Sequence, residues 1–499
     1  MMADLTIGSD TDFSLARTFF QNADFSEKAV CREAGIESMA QFGDAKWEAT
    51  RLAKVRPALQ FCIQVFLRGL KHQSVEARNV CGEEVFQAFN RLGLLRPGTK
   101  SPDCVICPVW VYPADAFVIV SDRRDDPEGD LFAPADDVVF PAIYPGTLRF
   151  LNLLPEARGG DALDLCGGSG VGALRFSQTA REAVTADITP RSAHFAEFNA
   201  RLNGAAMRSL CGDLYAPLQG RQFDIISAHP PFVPATGQTM VYRDGGETGE
   251  QITKGVIEGL VAHLRPGGTA VVLCVARDTK DQTFEERAYE WLGPARKEFD
   301  IVFGLEKVLG VEEVVDSMRK RGHQMNDQDA VQLLQRLQTL GTAQFVYGAL
   351  WLCRNLAGAS TSAKPSRVRL LPSGSAGHFE RLMAWRRERR NPNFLQQLAL
   401  TRPTLDPRLE LKARHIVRER ELVPAEFIFA IENGFEAALR LDGWSVPLIA
   451  RLDGKATVTE VFESAKAANE TPKTFALQNF CDLVALMVER GFLNLVFKT

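Results

Sequence analysis

The residues with the clearest chemical potential lie between Asp161 and Pro234. They begin with Asp164-Leu-Cys166-Gly167-Gly168-Ser-Gly170, an apolar strand-like run that ends in an acid and in a glycine turn opening onto a helix from Val171. Glycine at a strand-to-helix turn lets backbone atoms approach a ligand that side chains would block. Alone, such a turn also fits the pyrophosphate of a dinucleotide. Asp164 argues against that, because a carboxylate there repels pyrophosphate and attracts a cationic amino group. Asp187 ends the next strand-like run, 17 residues after Gly170, where it can accept both hydroxyls of a ribose. Asp213, in GDLYAP, follows the third run and can accept the exocyclic amine of an adenine; the plainer alternative is a loop acid or a helix cap. This order of acids fits a nucleoside bearing an amino acid better than a dinucleotide.

A fourth run, FDIISAH, ends in His229-Pro230-Pro231-Phe232, at the sheet edge where ligands of such folds bind. Consecutive prolines donate no backbone hydrogen bonds, so the expectation is a stiff loop with carbonyls pointing outward as acceptors. Phe232 can stack on a planar group, and His229 can act as a general base or as a hydrogen-bond acceptor. The bland alternative is a structural turn with a capping histidine. Downstream, Asp244–Gly249 is a glycine-rich loop placed to gate a pocket, or simply a loop.

These residues need strands and helices to bring them together. LDL, VTADI, DIISAH, TAVVLCVA, FDIVFGL and AQFVYGALWLC read as strands alternating with amphipathic helices, which predicts right-handed crossovers and a mostly parallel, doubly wound α/β sheet over 156–354. The last two strands are expected to pair hairpin-fashion, with a helical insert from Val311 to Leu340 between them. Upstream, Phe61, Val65, Phe66 and Leu70, then Val85, Phe86, Phe89 and Leu92, recur at helical spacing, so residues 1–98 read as a helical, winged-helix-like domain with a structural or covering role. Residues 99–155 read as a β-rich connector, with VWVY and FVIV as strands around Pro113–Asp115; its end, VVFPAIYPGTLRFLNLLP, is apolar enough to pack on the core and to cover a ligand. A small, polar linker at 355–367 leads to a mainly helical, winged-helix-like domain over 368–499. There Arg381, Arg386, Arg387, Arg389 and Arg390 surround Trp385, read as a solvated face or clamp rather than a polyanion site.

The bulk properties are those of a soluble, multidomain protein. The 499 residues exceed one ordinary core, and 45% are hydrophobic against 24% charged. A net charge of −4 gives no global attraction for polyanions, so nucleic acid is a possible but unfavoured partner. No apolar run approaches a membrane span, and the start MMADLTIGSDTDF has no signal-peptide character, which makes the cytoplasm the expected compartment. The ten cysteines show no secreted framework and are expected to be thiols; Cys104 and Cys107 form a CxxC with no second half, so no metal site is expected.

Asp164–Gly170, Asp187, Asp213 and the PPF element together resemble class I S-adenosylmethionine-dependent methyltransferases, in the branch whose small core domain is shared by glutamine and exocyclic-amine N-methylating enzymes. The resemblance covers about residues 140 to 280 and extends through the later strands. It implies a Rossmann-like, seven-stranded core and S-adenosylmethionine as cofactor. Carried over position by position, it implies that Asp164 and the turn Cys166, Gly167, Gly168 and Gly170 meet the methionine part. Asp187 would bind the ribose, Asp213 with Leu214 the adenine, and Ile188 would also contact the cofactor. His229, Pro230, Pro231 and Phe232 would face the acceptor. Two positions depart from the pattern: Cys166 replaces a usual glycine, and His229 replaces the usual Asn or Asp, so the amide carbonyl that accepts from an amine substrate is missing. The expected activity is N- or O-methylation of a small molecule or a peptide or protein side chain. The alternatives are nucleic-acid methylation, another S-adenosylmethionine-consuming transfer or cyclisation, and a non-catalytic cofactor-binding module.

Overall fold

The computed structural model describes residues 5–48, 52–131, 135–234, 240–320, 326–356 and 364–495. The chain clusters into two compact units, Met1–Ile301 with Lys307–Pro365, and Val302–Glu306 with Ser366–Thr499. No described helix is long and apolar enough to cross a membrane. Much of the expected linker, residues 357–363, lies outside the described residues.

The first unit begins with helices Asp10–Asn22 and Glu27–Ala34, followed by Pro57–Phe61, which continues as π-helical Cys62–Leu67. Next come β1 (His72–Gln73), helices Ser74–Cys81 and Glu83–Arg91, β2 (Arg96–Pro97) and β3 (Cys104–Ile106), with the strands ordered β1-β3-β2. Phe66 holds this region together by edge-on contacts with Phe20, Phe61 and Phe89, at centroid distances of 5.3, 5.6 and 5.1 Å. A π-helical turn breaks the usual carbonyl pairing. Here the Leu67 carbonyl accepts from Trp110 Nε1 at 2.9 Å, and the Phe66 carbonyl accepts from Arg123 at 3.3 Å.

Residues up to 98 do not form a separate body: they group with the core in one unit. The reason is in the contacts. Phe13 packs edge-on to Phe198 at 5.0 Å, and Arg17 donates to the carbonyls of Leu202 and Arg201 at 2.9 and 2.6 Å, fastening the first helix to helix Pro190–Asn203. The CVICPVWVY run forms two strands. It breaks between β3 and β4 (Trp110–Ala114), which pairs with β5 (Phe117–Ser121), and both strands of that hairpin are largely buried instead of alternating. Cys104 Sγ accepts from Gln73, and Cys107 Sγ donates to the Val109 carbonyl.

The main sheet of this unit contains β6 (Asp161–Leu165), β7 (Glu182–Asp187), β8 (Met207–Cys211), β9 (Phe223–Ala228), β10 (Leu264–Thr279), β11 (Phe299–Leu309) and β12 (Thr342–Arg354). They run in the order β8-β7-β6-β9-β10-β12-β11. Pairs β8/β7, β7/β6, β6/β9 and β9/β10 are parallel, and β12 is antiparallel to β10 over Thr269–Thr279. This is the expected Rossmann-like, seven-stranded, mostly parallel sheet. β6 is buried at every position, as a central strand covered on both faces must be, while edge strand β8 is partly exposed. The chain runs outward from β6 through β7 to β8 and then returns to β9 on the other side, which opens a crevice beyond the carboxyl ends of β6, β7 and β9. Helices Val311–Lys320 and Asp327–Thr339 fill the insert between β11 and β12.

The second unit has strands beside the expected helices. Within it, β13 (Ser366–Leu370) pairs in parallel with residues 302–305 and antiparallel with β17; besides the short β14 (Thr404–Leu405) there are long strands β15 (Glu410–Arg418), β16 (Glu421–Asn433) and β17 (Phe435–Leu441). The sequence ELKARHIVR masks this because its charged residues lie on a largely exposed strand, where Glu426 of β16 pairs with both Arg414 and Arg440. Helices Phe394–Ala399, Val458–Ala467 and Leu477–Glu489 pack around Phe462, Phe480 and Val484, and β14 pairs with β18 (Leu493–Asn494). The arginine cluster clamps within this unit: Arg386 and Arg389 both reach Glu489, at 3.0 and 2.5 Å, and Trp385 Nε1 donates to the Ala485 carbonyl.

Asn199 joins three parts of the first unit. It is fully buried, accepts from Val120 N–H at 2.8 Å, and donates to the Val120 and Ser169 carbonyls, both at 2.9 Å. It thereby ties β5 and helix Pro190–Asn203 to the glycine turn. Replacing it with alanine leaves these buried groups unpaired. Asn199→Ala is expected to cost about 3 kcal/mol in urea unfolding, since each orphaned buried group costs ~1–3 kcal/mol.

Candidate cofactor and acceptor site

A cavity of about 950 Å³ lies at the carboxyl ends of β6, β7 and β9. Its walls bring together Asp164, Cys166, Gly167, Gly168, Asp187, Ile188, Asp213, Leu214 and the whole of His229–Phe232. Gly170 is set back from it: it begins helix Val171–Ser177 with φ of +80°, and a Cβ there would lie 2.8 Å from Ala196 Cβ, so its need for glycine is structural.

Asp164 is 2% exposed, and burial pushes its carboxyl up to about 7 against the hydrogen bonds that favour the anion. It accepts from Ser227 Oγ at 2.7 Å and from the backbone N–H groups of Ala173 and Gly172. A Cβ on Gly172 would fall 2.4 Å from this carboxyl. Asp187 accepts from Gly168 N–H at 2.9 Å and from Thr189 N–H at 3.1 Å, which fixes the turn and aims the carboxylate along it. Gly168 itself faces open space, as a backbone approached by a ligand would. Ile188 is 53% exposed beside Asp187 and presents an apolar surface to the cavity, suited to a flat base.

Cys166 adopts φ of +55°, the left-handed region in which an L side chain costs about 1 kcal/mol or more. This is the physical meaning of a glycine replaced at that position. Burial, followed by the charges of Asp187, Asp164 and Asp213, drives its thiol well above the ordinary range, so it remains protonated and is not a nucleophile.

At the other end, His229 opens to the cavity with its ring near Phe150, at 5.5 Å, and Phe232, at 6.2 Å. Burial pushes its imidazole down to about 4, so it is neutral at physiological pH. Among the described residues neither ring nitrogen has a hydrogen-bond partner. The carbonyls of the proline segment behave differently from the expectation. A Cβ on Gly245 would lie 2.7 Å from the Pro231 oxygen, and one on Gly249 would lie 2.3 Å from the Phe232 oxygen, so these two carbonyls are packed against the glycine loop. The Asp244–Gly249 loop is therefore a brace. Gly245 N–H donates to the Val233 carbonyl at 2.9 Å, Val233 N–H donates to the Arg243 carbonyl, and Glu250 anchors the end by ion pairs with buried Arg277 and with Arg287.

Sequence reading did not single out several residues that finish the cavity. Phe140, Tyr144 and Phe150 come from the segment after β5, Tyr242 precedes the glycine loop, Tyr347 comes from β12, and Arg124 follows the β4–β5 hairpin. The apolar run VVFPAIYPGTLRF was the available signal, and it does line the cavity. What places it is polar: Asp122 accepts from Val139 N–H at 2.8 Å while pairing with Arg191, and Tyr112 Oη accepts from Ala142 N–H at 2.7 Å.

The sheet order, the glycine turn and the ordered acids define a class I S-adenosylmethionine-dependent methyltransferase domain. The carboxylates and the open backbone at Gly168 fit that cofactor. More particularly, residues 141–287 match the family model described as methyltransferase small domain, and this segment carries that domain. Over 156 residues the chain is 30% identical to a ribosomal protein uL3 glutamine methyltransferase of Bradyrhizobium diazoefficiens, covering 28% of this chain and 48% of the relative. Over 132 residues it is 33% identical to a release factor glutamine methyltransferase of Koribacter versatilis, covering 24% and 47%. The chain thus spans about half the length of these curated relatives. Among solved structures, a T. thermophilus 16S rRNA N2 G1207 methyltransferase in complex with AdoMet and guanosine is similar at 16% identity, covering 57% of this chain and 63% of that one with a TM-score of 0.28, a likeness too slight to carry an argument.

Two outcomes follow from this geometry. Gly249→Ala, forced against a carbonyl at a φ of +79°, is expected to lose about 2 kcal/mol in urea unfolding and to lower methyl transfer while leaving S-adenosylhomocysteine binding intact. Burial raises the Asp164 carboxyl to about 7, and the resemblance puts a ligand ammonium, which favours the ionised form, beside it; binding is therefore expected to release protons and to strengthen as pH rises through that value. Calorimetry of S-adenosylhomocysteine in two buffers of different ionisation enthalpy, from about pH 6 to about pH 8, should show this release, and Asp164→Asn should abolish it.

Proposed function

We propose that the protein is an S-adenosylmethionine-dependent methyltransferase that methylates a nitrogen or oxygen of a small molecule or of a peptide or protein side chain, with His229 orienting the acceptor. The observation that carries this reading is the neutral His229 imidazole, its nitrogens unpartnered among the described residues, opening onto the cavity that also contains Asp164, Asp187 and Asp213.

When bound, S-adenosylmethionine would supply a methyl carbon on a sulfonium: the acceptor lone pair forms the new bond to carbon as the C–S bond breaks, its electron pair remains on the sulfur, and the acceptor's proton passes to solvent. On this reading Asp187 accepts the ribose hydroxyls, Asp213 with Leu214 meets the adenine, and Asp164 with the turn at Cys166–Gly168 meets the methionine part. His229 can accept a hydrogen bond from an acceptor N–H or O–H and so aim its lone pair. An imidazole pushed down to about 4 is too weak a base to hold a proton at neutral pH, which favours orientation over deprotonation. Rates then come chiefly from holding the reacting atoms close and aligned.

The named relatives act on glutamine, which makes a protein side chain a reasonable acceptor class, although His229 stands where the family pattern has an amide or acid. We also read residues 1–98 as a helical, winged-helix-like unit, supported by the succession of helices broken by β1 and β2 and by the pairing of both with the following strand β3. Its part in this reading is to hold the hairpin that carries Asp122 and Tyr112.

The reading divides cleanly by mutation. Asp187→Ala is expected to weaken S-adenosylhomocysteine binding at least tenfold by calorimetry. His229→Ala should leave that binding within about twofold and abolish transfer to any acceptor the wild type methylates; full transfer by this variant would overturn the assigned role. The His229 Cε1 proton, followed by NMR, should titrate near pH 4, with no change around the ordinary histidine value.

A further inference from the structure

One part of the cavity wall has a composition that the methyl-transfer reading alone does not require. Phe140 stacks on Tyr242 with ring centroids 5.5 Å apart and an interplanar angle of 17°, and lies 4.6 Å from Tyr144. The Arg124 guanidinium sits over this group, 4.3 Å from the Tyr144 centroid and 5.3 Å from that of Phe140. Stacking of this kind fixes a planar cation in direction while leaving its edge of N–H donors available.

The cavity wall carries charges of both signs. Asp164, Asp187 and Asp213 are the acids read above as meeting the cofactor. Of the arginines on the wall, Arg243 is neutralised by Asp244 at 2.6 Å, whereas Arg124 makes no ion pair among the described residues. Asp137, also on the wall, acts on Arg191, which is already paired with Asp122. Of the two arginines on the wall, an anion entering this cavity therefore meets only Arg124, on its aromatic shelf, without an ion-pair partner among the described residues. The volume of about 950 Å³ is near the upper end for a single small-molecule site, roughly 300–1,000 Å³, and so leaves space for a second molecule beside the cofactor.

We infer that the acceptor is a small planar aromatic acid, its ring held among Phe140, Tyr144, Phe150, Phe232 and Tyr242 and its carboxylate paired with Arg124. The inference rests on the proposed methyl-transfer function and narrows its acceptor class. It places the amine or hydroxyl to be methylated at the His229 end of the ring and the carboxylate at the opposite end. The Arg–carboxylate pair can be bidentate, which would fix the ring's orientation as well as its presence.

The test uses the full chain saturated with S-adenosylhomocysteine, titrated by calorimetry with 4-hydroxybenzoate and 4-aminobenzoate and with their neutral amides. At least one acid should bind about tenfold more tightly than its amide. In Arg124→Gln that preference should shrink to within about threefold with S-adenosylhomocysteine affinity unchanged, and Arg124→Lys should give an intermediate preference. Equal binding of acid and amide, no binding of any of the four compounds, or a preference that survives in Arg124→Gln would each overturn the inference. Weakened S-adenosylhomocysteine binding in Arg124→Gln would assign the arginine to the cofactor and overturn it also. Failure of the wild type to bind S-adenosylhomocysteine would instead bring down the methyltransferase reading and the inference with it, so the two failures are distinguishable.

Discussion

The carboxyl of Asp164 is the point on which the site turns. It is buried at the end of β6, where water cannot solvate it, and it compensates through three donors on different elements: the Ser227 hydroxyl of β9 and the N–H groups of Gly172 and Ala173 at the start of the following helix. Those bonds set the glycine turn against two strands at once. Ser227 is two residues before His229, so the same carboxyl that holds the glycine turn also fixes the strand delivering His229–Phe232. The glycine turn and the proline segment are consequently linked through one buried group, and the absence of a Cβ at Gly172 is what lets the helix come close enough.

The accessory segments act on this arrangement from outside. The N-terminal helices and the β4–β5 hairpin gather around helix Pro190–Asn203 through Phe13, Arg17 and Asn199. The hairpin then passes its position on to the cavity wall through Asp122 and Tyr112. The buried Asp122–Arg191 pair has a satisfied geometry, with the Val139 N–H taking part of the carboxylate's remaining capacity. An element far from β6 in sequence thus determines where Phe140 and Tyr144 stand.

The core sheet was legible in the sequence because its central strands are buried on both faces and so read as continuous apolar runs, and Asp164 and Asp187 were legible because they stand at the ends of such runs. That order brings Gly168 and Asp187 together, where they are hydrogen-bonded. The fold of the second unit was less legible: charged side chains on an exposed strand such as β15 look like a helix face or a loop, and their pairing with β16 and β17 is a nonlocal fact. The proline segment misled in a different way. Prolines do free their carbonyls from local bonding, but which way a carbonyl points was decided by Gly245 and Gly249, some fifteen residues later. Arg124 was hidden among the charges of RRDDPEGD, and only its seat over Tyr144 and Phe140 separates it from its neighbours.

The tight contact between the glycine brace and the Pro231 and Phe232 carbonyls has a consequence for how such a scaffold can diversify. An acceptor motif wedged in place by missing side chains has little freedom to reshape itself around a new substrate, whereas the ring-bearing segment at 137–150 reaches the cavity through a few side-chain hydrogen bonds and can exchange residues without disturbing the sheet. Novelty in this architecture is therefore cheapest in the wall and most expensive in the reacting centre, so descendants of one ancestor would be expected to keep their transfer geometry while trading substrates.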